Sequence, residues 1–163
     1  MKNRLRLTVA AVACSFLLIA AADKSKPLFS DPGTARASLS AALKVAREQN
    51  RLVIVNFGAN WCESSNELGD LLTNDASVRK VLAERYVMTY VNVGDDVDKN
   101  LDLAEALGVE DLEDSGIPML VILDANARVL AVKDPEDFVV SGKSYSPGAL
   151  VKFLNGLGGR AKP

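Results

Sequence analysis

Apolar residues along this chain show two different spacings, one after the other. Within residues 35–49 they fall on one side of a helix, at Leu39, Ala42, Leu43 and Ala46. This spacing predicts an amphipathic helix over residues 35–49. Residues 52–57 follow as a largely apolar, β-branched run without alternation, which is typical of a strand buried on both faces of a sheet.

The rest of the chain repeats these two patterns in an order that indicates the fold class. Helices are predicted at 63–72, 77–85, 101–107 and 147–154, and strands at 86–93, 119–123 and 129–133. Residues 124–127 favour a hairpin, because Asn126 is able to take a positive φ. A strand–helix–strand unit followed by a hairpin predicts an α/β fold. Its central four-stranded mixed sheet has two parallel strands plus a C-terminal hairpin, and helices flank it.

The first 22 residues have the composition of a secretory signal peptide. A basic start precedes an apolar run from Leu7 to Ala22, whose 16 residues fall short of the ~20 needed to span a bilayer. The predicted organisation is a signal peptide at 1–22, a linker or arm at 23–34, a domain at 35–157 and a flexible tail at 158–163. Export across the inner membrane then places the protein in the periplasm. A lipid anchor on Cys14, which would attach the protein to a membrane, is the less favoured alternative.

The charge balance and the missing residue types exclude several functions. Removing 1–22 takes away three basic residues and no acid, which leaves 16 basic and 21 acidic residues from the original 19 and 21. An acidic chain without a Lys/Arg cluster argues against nucleic-acid binding. The chain has no histidine, which excludes Cys-His and Ser-His-Asp catalysis and histidine-ligated zinc. No metal or other cofactor is expected. The acidic segment 110–114 is predicted to be a charged loop, with selection of basic substrates as the alternative.

The candidate chemistry lies at Cys62, the single cysteine that follows the leader. A lone cysteine in an exported protein is a free or exchangeable thiol. Cys62 comes where the strand ends and a helix begins, and the unpaired N–H groups of a helix start stabilise a thiolate. Ser65 is expected to donate a hydrogen bond to that thiolate and Trp61 to shield it, whereas the carboxylate of Glu63 opposes its formation.

Three features together resemble the thioredoxin family, over most of residues 35–157. They are the segment Phe57-Gly58-Ala59-Asn60-Trp61-Cys62, the segment Gly116-Ile117-Pro118 directly before a strand, and the strand order. The resemblance implies that Pro118 follows a cis peptide bond and lies across from Cys62. It also implies that the backbone of Ile117 pairs with an incoming peptide as an added strand.

This chain departs from the family pattern at two positions. Ser65 stands where two-cysteine members have their second cysteine, which gives a one-cysteine site, Cys-Glu-Ser-Ser. Asn56 stands where thioredoxins have a buried aspartate, and it is interpreted as a hydrogen-bonded core amide. Cys62 can therefore form a mixed disulfide but cannot release it with a second thiol of this chain. Release requires a thiol of the substrate, of glutathione or of a partner protein.

Two hypotheses of different classes remain open at this point. The first is a thiol–disulfide exchange protein of the bacterial envelope, with isomerase- or deglutathionylation-like chemistry at Cys62 and protein or peptide thiols and disulfides as partners. The second is a redox-inactive peptide-binding or chaperone-like protein on the same fold, since fold alone does not fix function. A Cys62→Ser substitution separates them, because only the exchange protein loses its activity.

Overall fold

The computed structural model describes residues 27–140 and 144–157. The predicted signal peptide, Cys14 and the predicted tail lie outside the described residues. The helices are α1 (Ala35–Gln49), α2 (Glu63–Asn74), α3 (Ala76–Arg85), α4 (Leu101–Ala106), α5 (Leu112–Ser115) and α6 (Pro147–Gly156). The strands are β1 (Leu52–Gly58), β2 (Tyr86–Asn92), β3 (Met119–Leu123), β4 (Val129–Lys133), β5 (Val139–Val140) and β6 (Ser144–Tyr145).

A four-stranded sheet forms the centre of the molecule, in the order β2-β1-β3-β4. β1 and β2 are parallel, with Leu52 opposite Tyr86, while β1–β3 and β3–β4 are antiparallel. This arrangement confirms the predicted α/β fold with its mixed sheet. β5 and β6 form a separate antiparallel pair.

Two hydrophobic cores cover the two faces of the sheet, and β1 contributes to both. Val53, Val55 and Phe57 belong to the core beneath α1, whereas Ile54 belongs to the core beneath α2, α3 and α6. All seven residues of β1 are buried, which explains why the strand shows no polar alternation. Because side chains alternate along a strand, Asn56 lies on the same face as Ile54, under α2.

The structure corrects two local predictions. Segment 110–114 is not simply a charged loop, because its second half enters α5. In the β3–β4 turn, Ala127 takes the positive φ of 64°, not Asn126. The cause is Asp124, whose side chain accepts hydrogen bonds from the backbone N–H groups of Asn126 and Arg128 at 2.8 and 2.9 Å.

Residues 27–34, part of the predicted linker or arm, run against the sheet rather than away from it. Phe29 is only 1% exposed. Pro32–Thr34 form a short 3₁₀ helix, capped by Asp31 and leading into α1. Within residues 27–140 and 144–157, no helix combines the length and the hydrophobicity that a membrane crossing requires.

Candidate active site

Cys62 occupies the junction between β1 and α2. It is the N-cap residue of α2, with an extended backbone (φ −82°, ψ 118°). Its carbonyl accepts the N–H of Asn66 at 3.1 Å, which closes the first turn, and its own N–H donates to Ala59 at 3.2 Å. The thiol is partly exposed and free. It therefore sits at the helix start predicted from the sequence, within reach of a substrate.

The loop before β3 lies directly across from this thiol. Phe57 and Met119 are paired in the sheet, so the residues just before β3 meet the end of β1. The Cys62 thiol donates to the carbonyl of Ile117, with the sulfur 3.6 Å from the oxygen. The Ile117–Pro118 peptide bond is cis. Cys62, Ile117 and Pro118 are thus brought together from segments 55 residues apart.

Trp61 forms the outer edge of this site. Its side chain is 55% exposed, which is unusual for so large an apolar group. The indole Nε1 donates to the carbonyl of Gly94, at 2.9 Å, beyond the end of β2. The ring is therefore tethered at its polar edge while its faces remain open to contact with another molecule.

Ser65 lies one turn along α2, but it points into the protein. The residue is fully buried, and Oγ has no hydrogen-bond partner. A Cβ built on Gly58 would lie 2.8 Å from this oxygen, which shows how closely the side chain faces β1. The expected hydrogen bond from Ser65 to the Cys62 sulfur is therefore not made.

Asn56 also differs from expectation. It is fully buried beneath α2, yet neither Oδ1 nor Nδ2 has a hydrogen-bond partner. The interpretation of Asn56 as a hydrogen-bonded core amide is therefore wrong. The inner side of the site thus carries two neutral polar side chains, Asn56 and Ser65, whose buried polar atoms have no hydrogen-bond partner.

Tyr145 lies at the site, and sequence reasoning could not find it. Tyr145 of β6 is buried, which raises the pKa of its phenol to about 12, although a hydrogen bond with Ser64 acts in the opposite direction. The nearby carboxylate of Glu67 raises that pKa further. The phenol thus lies beside the start of α2. A two-residue strand such as β6 leaves no periodic signal that could have placed it there.

An acidic cavity is lined by residues that lead up to the cis-proline loop. Its volume is about 620 Å³. The lining residues are Leu101, Glu105, Gly108, Val109, Glu110, Asp111, Leu112, Glu113 and Asp114. Within the described part of the chain, no group of three or more Cys, Asp or Glu side chains is arranged to hold a metal ion.

Comparison with known proteins places the chain in a family. The model of the thioredoxin-like family matches residues 34–125, which is more than half of the chain. The chain therefore belongs to the thioredoxin-like family. A comparison with curated proteins finds no match.

Solved structures give the same fold. A disulphide isomerase from Xylella fastidiosa Temecula1 is similar with a TM-score of 0.68 and 21% identity, over 82% of this chain and 98% of that one. The reduced C-terminal domain of DsbD from Neisseria meningitidis has a TM-score of 0.52 and 18% identity, covering 78% and 97% of the two chains. A DsbH oxidoreductase has a TM-score of 0.51 and 18% identity, covering 74% and 81%. At these identities the likeness establishes the thioredoxin-like fold.

Proposed function

We propose that this protein is a thiol–disulfide exchange protein of the bacterial envelope that works through the single thiol of Cys62. The observation that carries the proposal is the position of the Cys62 sulfur, at the start of α2 and 3.6 Å from the carbonyl oxygen of the cis Ile117–Pro118 peptide bond. Family membership and the fold shared with a disulphide isomerase support it. The predicted signal peptide at 1–22 supports the location.

The exchange begins with attack on a substrate disulfide. The Cys62 thiolate bonds to one substrate sulfur, the substrate S–S bond breaks, and the second substrate sulfur leaves as a thiolate that takes up a proton. The backbone of Ile117 pairs with the bound peptide, and the exposed ring of Trp61 covers its side chains. The product is a mixed disulfide between Cys62 and the substrate.

Release depends on a thiol from outside this chain. Ser65 supplies a hydroxyl where two-cysteine members of the family supply a thiol, and Cys62 forms no disulfide in the structure. When a second substrate thiol attacks the mixed disulfide, Cys62 leaves as a thiolate and the substrate gains a different disulfide. Isomerisation of this kind involves no net oxidation or reduction. When a small thiol such as glutathione attacks the Cys62 sulfur instead, the substrate leaves as a thiol and Cys62 forms a mixed disulfide with the small thiol. A second small thiol then frees Cys62, so two small thiols are oxidised to their disulfide for each substrate disulfide that is reduced.

A refolding assay tests this function. A substrate protein with scrambled disulfides, supplied with a trace of small thiol, should regain its native disulfides faster with the wild-type protein than with Cys62→Ser. Cys62→Ser should fold normally, because Cys62 is partly exposed and belongs to neither of the two hydrophobic cores. If both proteins accelerated the recovery of native disulfides equally, the exchange proposal would be contradicted and the redox-inactive peptide-binding protein would be favoured.

A further inference from the structure

An N-terminal strap, residues 29–34, packs under the candidate active site. The ring of Phe29 meets that of Tyr90 edge-on, with centroids 5.7 Å apart and planes at 88°. It also fills the space above Gly58, where a built Cβ would lie 2.5 Å from the ring. The strap therefore forms part of the support on which the loop between β1 and α2 rests.

Asn60 joins this strap to the reactive loop. Its Oδ1 accepts the backbone N–H of Phe29 at 3.0 Å, and its Nδ2 donates to the carbonyl of Phe29 at 2.7 Å. The short side-chain amide thus pairs with the strap as a neighbouring strand would. The backbone carbonyl of Asn60 accepts Nδ2 of Asn66 at 2.8 Å, which ties the same residue to α2.

Asn60 is two residues before Cys62, and Asn66 is four residues after it. The hydrogen bonds of Asn60 to Phe29 and to Asn66 therefore hold the loop on both sides of the thiol. We propose that Asn60 is a positioning residue that holds Cys62 in its reactive place by coupling the loop to the N-terminal strap. This inference rests on the proposed function. Without the Asn60 amide, the loop loses both bonds to the strap, and the thiol is no longer held at the start of α2 and opposite Ile117. Misplacement of a reacting group by about 1 Å can cost on the order of a hundredfold in rate.

The chain offers a matched control in Asn100. Its Nδ2 donates to the carbonyl of Pro32, at 3.0 Å, and to that of Asn92, at 2.8 Å. Asn100 thus holds the same strap at its other end, away from Cys62. Because Asn100 has a positive φ of 59°, Asn100→Gly removes the side-chain bonds without straining the backbone.

The experiment compares Asn60→Ala and Asn100→Gly with wild type, all as the chain from Asp23 onward, the form that signal-peptide removal would leave, so that Cys62 is the single thiol. Three quantities are measured: the rate of Cys62 alkylation by iodoacetamide at pH 7, the rate of mixed-disulfide formation with a cystine peptide, and the denaturant midpoint of unfolding. Both variants should unfold at lower denaturant. Only Asn60→Ala should react more slowly, on the order of tenfold in alkylation and in exchange.

The result that overturns the proposal is a wild-type alkylation rate in Asn60→Ala, or equal slowing in both variants, because the strap would then act on stability alone. Alkylation needs no exchange activity. A wild type that fails to exchange would therefore remove the proposed function, while slower alkylation of Asn60→Ala alone would still support the positioning role. If Asn60→Ala does not fold, the milder Asn60→Ser is measured against the same two criteria.

Discussion

The first turn of α2 has an outer side and an inner side, and they differ in chemistry. On the outer side, Cys62 is partly exposed and its sulfur faces the Ile117 carbonyl, next to the open ring of Trp61. On the inner side, Ser65 is sealed against Gly58 without a hydrogen-bond partner. Under the proposed function, the outer side therefore carries the reactivity and the inner side contributes packing.

This contrast shows what changes when Ser65 takes the place of the second cysteine of two-cysteine family members. By resemblance, the inner position is where two-cysteine members keep the thiol that resolves a mixed disulfide. A hydroxyl there occupies a similar volume but cannot attack a disulfide. Under the proposed function, this chain keeps the half of the site that attacks a disulfide and lacks the thiol that would complete a redox cycle.

The largest expected effect comes from placing a thiol on the inner side. Ser65→Cys should shorten the lifetime of the mixed disulfide at Cys62 on the order of a hundredfold or more, because an intramolecular thiol attacks it at a far higher effective concentration than external thiols do. Mass spectrometry of the adduct over time measures this lifetime. Ser64→Cys is the matched control, since a residue two positions from Cys62 on a helix does not face it. Equal lifetimes in the two variants would mean that the inner side is closed to this chemistry.

A methyl group on the inner side should have the next largest effect. Gly58→Ala should lower the free energy of unfolding by about 1–3 kcal/mol, because the new Cβ would lie 2.5 Å from Phe29 and 2.8 Å from Ser65. Denaturant unfolding measures the change. Gly156→Ala, in α6, meets no atom within 4 Å and should not destabilise the protein. A Gly58→Ala protein as stable as wild type would show that the packing of Phe29 on β1 is looser than described.

Removing the inner hydroxyl should have a smaller effect. Ser65→Ala should leave the exchange rate unchanged and should keep or raise the free energy of unfolding by up to about 1 kcal/mol, because Oγ is buried without a partner. Ser146→Ala is the control, since that hydroxyl caps α6 by accepting the N–H of Ala149 and its loss should destabilise by about 1 kcal/mol. A clear loss of exchange in Ser65→Ala would instead support the catalytic role predicted from the sequence.

The smallest expected effect is that of Tyr90 on the free energy of unfolding, and it is expected only at high pH. Burial raises the pKa of Tyr90, which packs on Phe29 under the inner side, to about 12 from 10.0. The unfolded state ionises first, so the free energy of unfolding should fall as the pH rises from 10 toward 12. Tyr90→Phe keeps the ring contact and should show a weaker decline over that range. Superimposable profiles for the two proteins would mean that Tyr90 is exposed to solvent.

The sequence predicts the outer side of the site better than the inner side. Cys62, Ile117 and Pro118 belong to short segments at the ends of strongly apolar strands, so the strand order alone brings them together. The fold was predictable for a similar reason, since α1 has clear helical periodicity and β1 is a continuous apolar run. Contacts between segments distant in sequence and without periodicity were not predictable.

Phe29 and Asn60 illustrate that limit. Phe29 stands in a polar, proline-bearing stretch that is typical of a linker, yet it is buried because Gly58 leaves room for its ring. Asn60 bonds to a residue 31 positions away, and no spacing rule indicates such a pair. Whether Asn56 and Ser65 find partners depends on side-chain geometry, which the residue types alone do not determine.

The most direct test of the central claim is the intact mass of the native protein during incubation with a cystine-containing peptide. We expect one adduct, on Cys62, that forms faster than in the unfolded protein and persists until an external thiol is added. No adduct on the folded protein, or an adduct that disappears without added thiol, would contradict the claim that Cys62 acts as a single, unresolved nucleophile.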